Sequence, residues 1–355
     1  MTTTLAADLH RGRPQPSRRL DVRDLVTEAV TAWTVVGDER ADLGEHPLLD
    51  PATGSLLWVD VDGRRVHGWR GGPLRTRTAV SLAWPTESGG LLLATAAGLG
   101  VLPGDPDHPG RADDPVRPGG DDGNGEGEDG VRGRRGGCVL VEAGLGPLVR
   151  PDDMPAAFRF NDGGCDARGR LWVASMATEG VIRGGSVYRV DVTPDGTRPV
   201  PVLRGVHCGN GIAWSPDGTA MYLTDSVTRT VHRLPYDLAT GTVGEPEVLI
   251  ALAADGPMPD GTAVDVDGGL WVATWGGGHV LRFTADGDPV GAYALPTPLV
   301  TCPGFGRPGS DDLFVTTAGA PDPGLGPTPD DPWAGALFRL AVDVDGLSPC
   351  PVRGL

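Results

Sequence analysis

Apolar residues in this chain come in short runs that break at a small or polar residue and then resume. The clearest are LLWVDVDGRRVHGWR from Leu56, LLLATAAGLGVL from Leu91 and RLWVASMATEGVIRGGSVYRVD from Arg170. AMYLTDSVTRTVHRLPYD from Ala220, LWVATWGGGHVLRFTADG from Leu270, and DLFVTTAG from Asp312 with GALFRLAVD from Gly335 repeat the form. Each couples a run rich in Val, Leu and aromatics to a second, alternating run, the pattern of a β-hairpin. The turns DARG (Asp166–Gly169), PDG (Pro216–Gly218) and DVDG (Asp265–Gly268) precede three of them with fitting chemistry.

Where no insertion intervenes, successive units lie about 40 to 50 residues apart, the period of a four-stranded propeller blade. Six units fit between Glu45 and the C-terminus. The expected fold is all-β, a six-bladed β-propeller, since closing a ring removes free sheet edges. Thr31–Val36 (TAWTVV) is expected to join the last blade and close the ring. The expected domains are a flexible tail over 1–25 and a single propeller over 26–355. Residues 104–137, all Gly, Pro and charge with little to bury, read as a disordered inserted loop. Ala320–Pro332 reads as a long loop inside the last blade.

Four polar residues share one phase of this repeat. Glu45 lies thirteen residues before Trp58, Asn161 eleven before Trp172, Asn210 twelve before Tyr222 and Asp260 eleven before Trp271. Symmetry would bring them to one mouth of the central channel. An isolated Asn-Gly or Asp-Gly is an ordinary turn signal; four polar residues in phase point to a site. Glu45, Asn210 and Asp260 offer two carboxylates and an amide oxygen, which suits Ca²⁺, Mg²⁺ or Mn²⁺, and no His shares the phase. Arg159 and Asn161, two apart on an extended strand, point the same way toward ligand oxygens. Glu179, past the next strand of that blade, could reach over the mouth.

Composition narrows the classes. The net charge of −17 argues against nucleic acid, and no run of eighteen apolar residues suggests a membrane span. The first residues lack the apolar core of a signal peptide, so the cytoplasm is the expected compartment. Five cysteines, widely spaced and without a CxxC pair, read as free thiols.

RFNDGGCDARGRLWVASM, CGNGIAWSPDGTAMYLTDS and MPDGTAVDVDGGLWVATWGGGHVLRF, in that order, resemble the senescence-marker-protein/gluconolactonase (regucalcin-like) family, over about residues 31–350. The resemblance implies one divalent metal in the channel of a six-bladed propeller, held by Glu45, Asn210 and Asp260. It implies Arg159, Asn161 and Glu179 as substrate contacts, and hydrolysis of sugar-acid lactones such as those of gluconic, xylonic or arabinonic acid. Calcium is the first expectation for the metal, with Zn, Mn, Mg or Fe as alternatives. The family's Glu-Gly-Pro-x-Trp is here Glu45-His46-Pro47-Leu48-Leu49, and His46 is expected at the surface, with the pocket as the alternative.

The expected chemistry is attack of an activated water on a metal-polarised lactone carbonyl, with Asp260 as general base. No G-x-S-x-G elbow or His in phase with Ser175 or Ser226 supports a serine nucleophile; His207, near Asn210, is a loop histidine or a proton shuttle. The expected partner is a small sugar lactone, bound by a monomer or weak homodimer. The alternative is a non-catalytic calcium- or sugar-binding propeller.

Overall fold

The computed structural model describes residues 7–9, 19–25, 33–69, 72–104, 139–140, 145–146, 148–180, 183–193, 196–319 and 330–355. The 104–137 and 320–332 loops expected from sequence lie largely outside these residues. Six small antiparallel sheets are arranged as a six-bladed β-propeller. Their inner strands are Gly44–Leu49, Val80–Pro85, Phe158–Cys165, Gly209–Trp214, Met258–Val264 and Val300–Phe305, here blades 1 to 6. Each inner strand packs on the next, and the sixth packs on the first, so the ring closes.

The apolar runs of the sequence are the second strands of the blades, such as Leu171–Ala177 and Leu270–Trp275. They are buried on both faces because a blade is sandwiched between two others. One apolar cluster sits at each junction. Trp172, Trp214 and Tyr236 pack edge to face between blades 3 and 4. Trp271 meets Phe305 between blades 5 and 6. Burying an aromatic side chain of this kind is worth roughly 2–3 kcal/mol. The turn acids Asp166 and Asp265 are fully buried and accept backbone amides of their own turns. That satisfaction accounts for charged residues at the blade margins.

The last blade is built from both ends of the chain. Trp33–Val35 pairs antiparallel with Phe338–Ala341, Trp33 opposite Leu340 and Val35 opposite Phe338. The expected closing strand is therefore present. Among the described residues before 26, short pieces of the chain pack on the propeller. Ala7–Asp8 extends blade 3 in parallel beside Leu203–Arg204, and Leu9 is completely buried in the core between blades 3 and 4. Leu20 bridges Leu252, and Val22–Leu25 forms a helical turn. A tail rich in Pro and Arg hides two apolar anchors, Leu9 and Val22, that a composition average misses.

The C-terminus crosses the ring. Gly346 bridges Asp265 in blade 5, Val352 bridges Thr86 in blade 2, and the Arg353 amide donates to Gly169 O in blade 3. Blades 2 and 5 are opposite in a six-membered ring, so this strap lies over the end of the channel reached by the C-terminal ends of the inner strands.

Candidate active site

Every inner strand breaks its pairing register near its start. The breaks fall between Glu45 and Leu48, Val80 and Leu82, Phe160 and Asp162, Asn210 and Ile212, Pro259 and Thr262, and Val300 and Cys302. Asn161 and Asp260 lie inside their breaks, and Glu45 and Asn210 flank theirs. A bulge re-aims a side chain that strict alternation would fix. Glycine makes this possible where strands crowd: a Cβ on Gly261 would stand 2.5 Å from Cys302 Sγ, and one on Gly211 (φ +39°) would strike Thr224 and Thr262.

Two of the phased residues, Asn161 and Asn210, are joined in one hydrogen-bonded chain that runs from Arg159 to Ser226. Arg159 Nη1 donates to Asn161 Oδ1 at 2.8 Å and to Phe160 O at 2.9 Å. Asn161 Nδ2 donates to Asn210 Oδ1 at 3.2 Å and to Gly209 O at 3.0 Å. Asn210 Nδ2 donates to Ser226 Oγ at 3.0 Å. Asn210 and Asp260 are buried, while Arg159, Asn161 and Glu45 keep partial exposure.

The carboxylates feel one another. Burial pushes Glu45 well above the usual carboxylate range, and the charges of Asp260 and Asp162 add to this, against a smaller opposing pull from Arg159. Burial, then Asp162, also raises Asp260 well above its ordinary value. Burial depresses the Arg159 guanidinium. The cluster thus gathers more negative charge than its single guanidinium offsets.

The donors suit a hard dication: one buried and one partly buried carboxylate and an amide oxygen with a second lone pair to spare. Among the described residues no three His, Cys, Asp or Glu side chains converge as a metal cluster, so any such site depends on Asn210.

Asp162, His46 and Cys302 were not among the expected site residues. Asp162, beside Asn161, is buried and accepts from Gly163 N at 2.6 Å and Gly211 N at 2.7 Å. His46 is not at the surface: its side chain is 11% exposed, Nδ1 lies 3.1 Å from Asp162 Oδ1, and its ring meets Trp84 at 5.2 Å. It occupies the left-handed region at φ +57°, where a Gly would carry no Cβ penalty. Cys302 neighbours the acids, its thiol pushed well up by burial, then by Asp162, Glu45 and Asp260. Cys208, pushed up to about 12 by burial, then Asp260 and Asp225, is likewise no thiolate nucleophile. The only signal for Asp162 was its place between Asn161 and Gly163.

Glu179 joins none of these hydrogen bonds. It is exposed, just past the strand Leu171–Ala177. Ala177 pairs with Phe158, so Glu179 leaves the blade at the end where Arg159 stands. His207 Nδ1 lies 3.2 Å from the fully buried Asp225, which also accepts the His207 and Cys208 amides. Asp60 accepts the Asp42 and Leu43 amides in the same way, so this is a recurring tie ahead of the inner strand.

The sequence profile described as SMP-30/Gluconolactonase/LRE-like region matches residues 43–319. The chain belongs to the SMP-30/gluconolactonase family. Among family relatives, pentonolactonase XacC of Haloferax volcanii is 33% identical over 322 residues, 88% of this chain and 95% of that one. Regucalcin of Gallus gallus is 30% identical over 328 residues, 90% of this chain and 97% of its own. The solved structure of a calcium-binding regucalcin from Agrobacterium tumefaciens superposes with a TM-score of 0.70 at 25% identity, covering 92% of this chain and 99% of that one. Family membership and the propeller both agree with the resemblance read from the three motifs.

Proposed function

We propose that the chain hydrolyses sugar-acid lactones of the aldonolactone type, using one divalent cation held by Glu45, Asn210 and Asp260. Residues 26–355 would act together as one propeller. The observation that carries this reading is the position of Glu45, Asn210 and Asp260 at the bulges of three inner strands, with Asn210 joined through Asn161 to Arg159 and Glu45 feeling the charges of Asp260 and Arg159. The named lactonase among the relatives supports the substrate class.

When bound, the cation would supply Lewis-acid polarisation of the lactone carbonyl and a more acidic water. Asp260 takes the proton from the attacking water as general base. Arg159 and Asn161 orient the sugar-acid oxygens, and Asn161 also holds Asn210 in place. Glu179 contacts sugar hydroxyls from the rim. Asp162, committed to two amides and His46, braces the inner strands.

The test is base uptake in a pH-stat on a panel of glucono-, xylono- and arabinonolactone. It is run on chelator-treated protein and after adding back Ca²⁺, Mn²⁺, Zn²⁺ or Mg²⁺. Turnover that vanishes with chelator and returns with a cation is expected; no metal-dependent acceleration on any lactone would sink the proposal. A second reading, calcium binding without turnover, is favoured by the likeness to the calcium-binding regucalcin of Agrobacterium tumefaciens. Calorimetric Ca²⁺ binding with no hydrolysis would select it.

A further inference from the structure

We propose that the far half of the central channel is a second ligand site, for a neutral one- or two-ring aromatic molecule bearing one hydrogen-bonding group. A cavity of about 260 Å³ lies there. Its lining begins one residue beyond the phased set, at His46 and Asp162, and runs along the inner strands toward Cys165, Trp214, Val264 and Phe305. The strap residues Leu347–Cys350 complete it. The His46–Asp162 pair therefore marks the boundary with the Glu45, Asn161, Asn210 and Asp260 cluster, and the cavity is reached from the opposite face.

The lining selects the ligand. Trp84, Trp214 and Phe305 give aromatic walls, and Leu48, Ile212 and Leu347 add aliphatic surface. No Lys or Arg lines it, so an anion finds no counter-charge. The Asp162 carboxylate already accepts two amides and faces His46, leaving little for a cation. A polyol fares little better, because most of the polar groups are already paired, Thr262 with Thr224, Ser215 with Asp217 and Trp84 Nε1 with Cys350 O, which leaves the Ser348 hydroxyl at the strap. His46 Nε2 remains among the lining side chains without a partner among the described residues. It provides for one polar atom on an otherwise apolar ligand. An apolar cavity of about 150 Å³ holds benzene, so this one has room for a second ring.

The probe is 1-naphthol, titrated calorimetrically into the full chain, with 1-naphthoate and sorbitol as charged and polyol controls. Saturable one-to-one binding of 1-naphthol alone is expected. Ala263→Phe, on the cavity wall, and Ser348→Trp, on the exposed strap, should each weaken it by about tenfold or more while thermal unfolding stays cooperative. Ser348→Trp serves if Ala263→Phe fails to fold. Absence of saturable binding, equal binding of 1-naphthoate or sorbitol, or unchanged affinity in the folded variants would overturn the site. Lactone turnover is not a readout, so failure here and failure of the proposed function are separable.

Discussion

The side-chain amide of Asn161 donates to the side-chain oxygen of Asn210 at 3.2 Å, tying an expected substrate contact directly to an expected metal ligand. That bond points the oxygen of Asn210 into the cluster, while Ser226 takes its nitrogen. Removing Asn161 therefore disturbs ligand and substrate together. Asn161→Ala is expected to lower kcat/KM on the responsive lactone, and metal affinity in parallel, by about 10- to 100-fold. Steady-state kinetics alongside a metal titration check it. A drop in kcat/KM with unchanged metal affinity would confine Asn161 to the substrate.

His46 offers a test of backbone strain. Its left-handed backbone at φ +57° costs a residue with a Cβ about 1–2 kcal/mol, while its ring gains Asp162 and Trp84. His46→Ala keeps the strain and loses the contacts; His46→Gly loses both. His46→Gly is expected to be more stable than His46→Ala by roughly 1 kcal/mol in denaturant unfolding. Equal stability would mean that φ at this position relaxes at little cost.

Glu179 separates positioning from folding. It is exposed and outside the hydrogen-bonded cluster, so Glu179→Gln should leave the melting temperature within about 1 °C. If it contacts substrate, KM should rise about threefold or more with kcat little changed. A KM indistinguishable from that of the parent protein would remove Glu179 from the site.

A pH dependence follows from His67, which is buried and stacked on Trp58 with ring centroids 3.9 Å apart. Burial lowers its pKa, and Nε2 has no partner among the described residues. The unfolded chain thus binds this proton more readily than the folded one. The contribution of His67 is complete above the unfolded value of about 6.5 and is lost as pH falls through that value toward the folded pKa. Melting temperatures from pH 7.5 to 5 should fall less steeply in His67→Phe than in the parent protein. Parallel slopes would show that His67 does not titrate in this range.

Much of this was legible because a blade keeps its second strand at a nearly constant offset from the start of its inner strand. Trp58, Trp172, Tyr222 and Trp271 therefore indexed positions near the starts of four inner strands, where Glu45, Asn161, Asn210 and Asp260 stand. The bulges were not legible. They depend on how neighbouring inner strands crowd, as Gly261 does against Cys302, and a one-dimensional period carries no such distance. His46 was misplaced because a histidine between Glu and Pro reads as polar surface, whereas a bulge turned it toward Asp162. The far cavity had no sequence signal at all. Its walls are ordinary apolar strand residues, and only the ring and the C-terminal strap bring them together.

The sharpest test concerns Asp260, buried beside Glu45 and Asp162. Its raised pKa means that the folded protein without metal binds this proton more tightly than the unfolded chain. Stability from this group is therefore present at acid pH and lost as pH rises through the folded pKa. Asp260→Asn removes that repulsion while keeping shape. In chelator-treated protein at pH 7 it is expected to raise the melting temperature by about 2 °C or more. The same substitution removes the proposed base and one metal ligand, so lactone turnover should fall by about 100-fold or more, with no recovery on adding cation. Adding Ca²⁺ should stabilise the parent protein and leave Asp260→Asn nearly unmoved, since only a cation that binds the folded state shifts unfolding. A variant that is destabilised without metal, or that retains turnover, would show that Asp260 is a structural acid rather than the centre of the site.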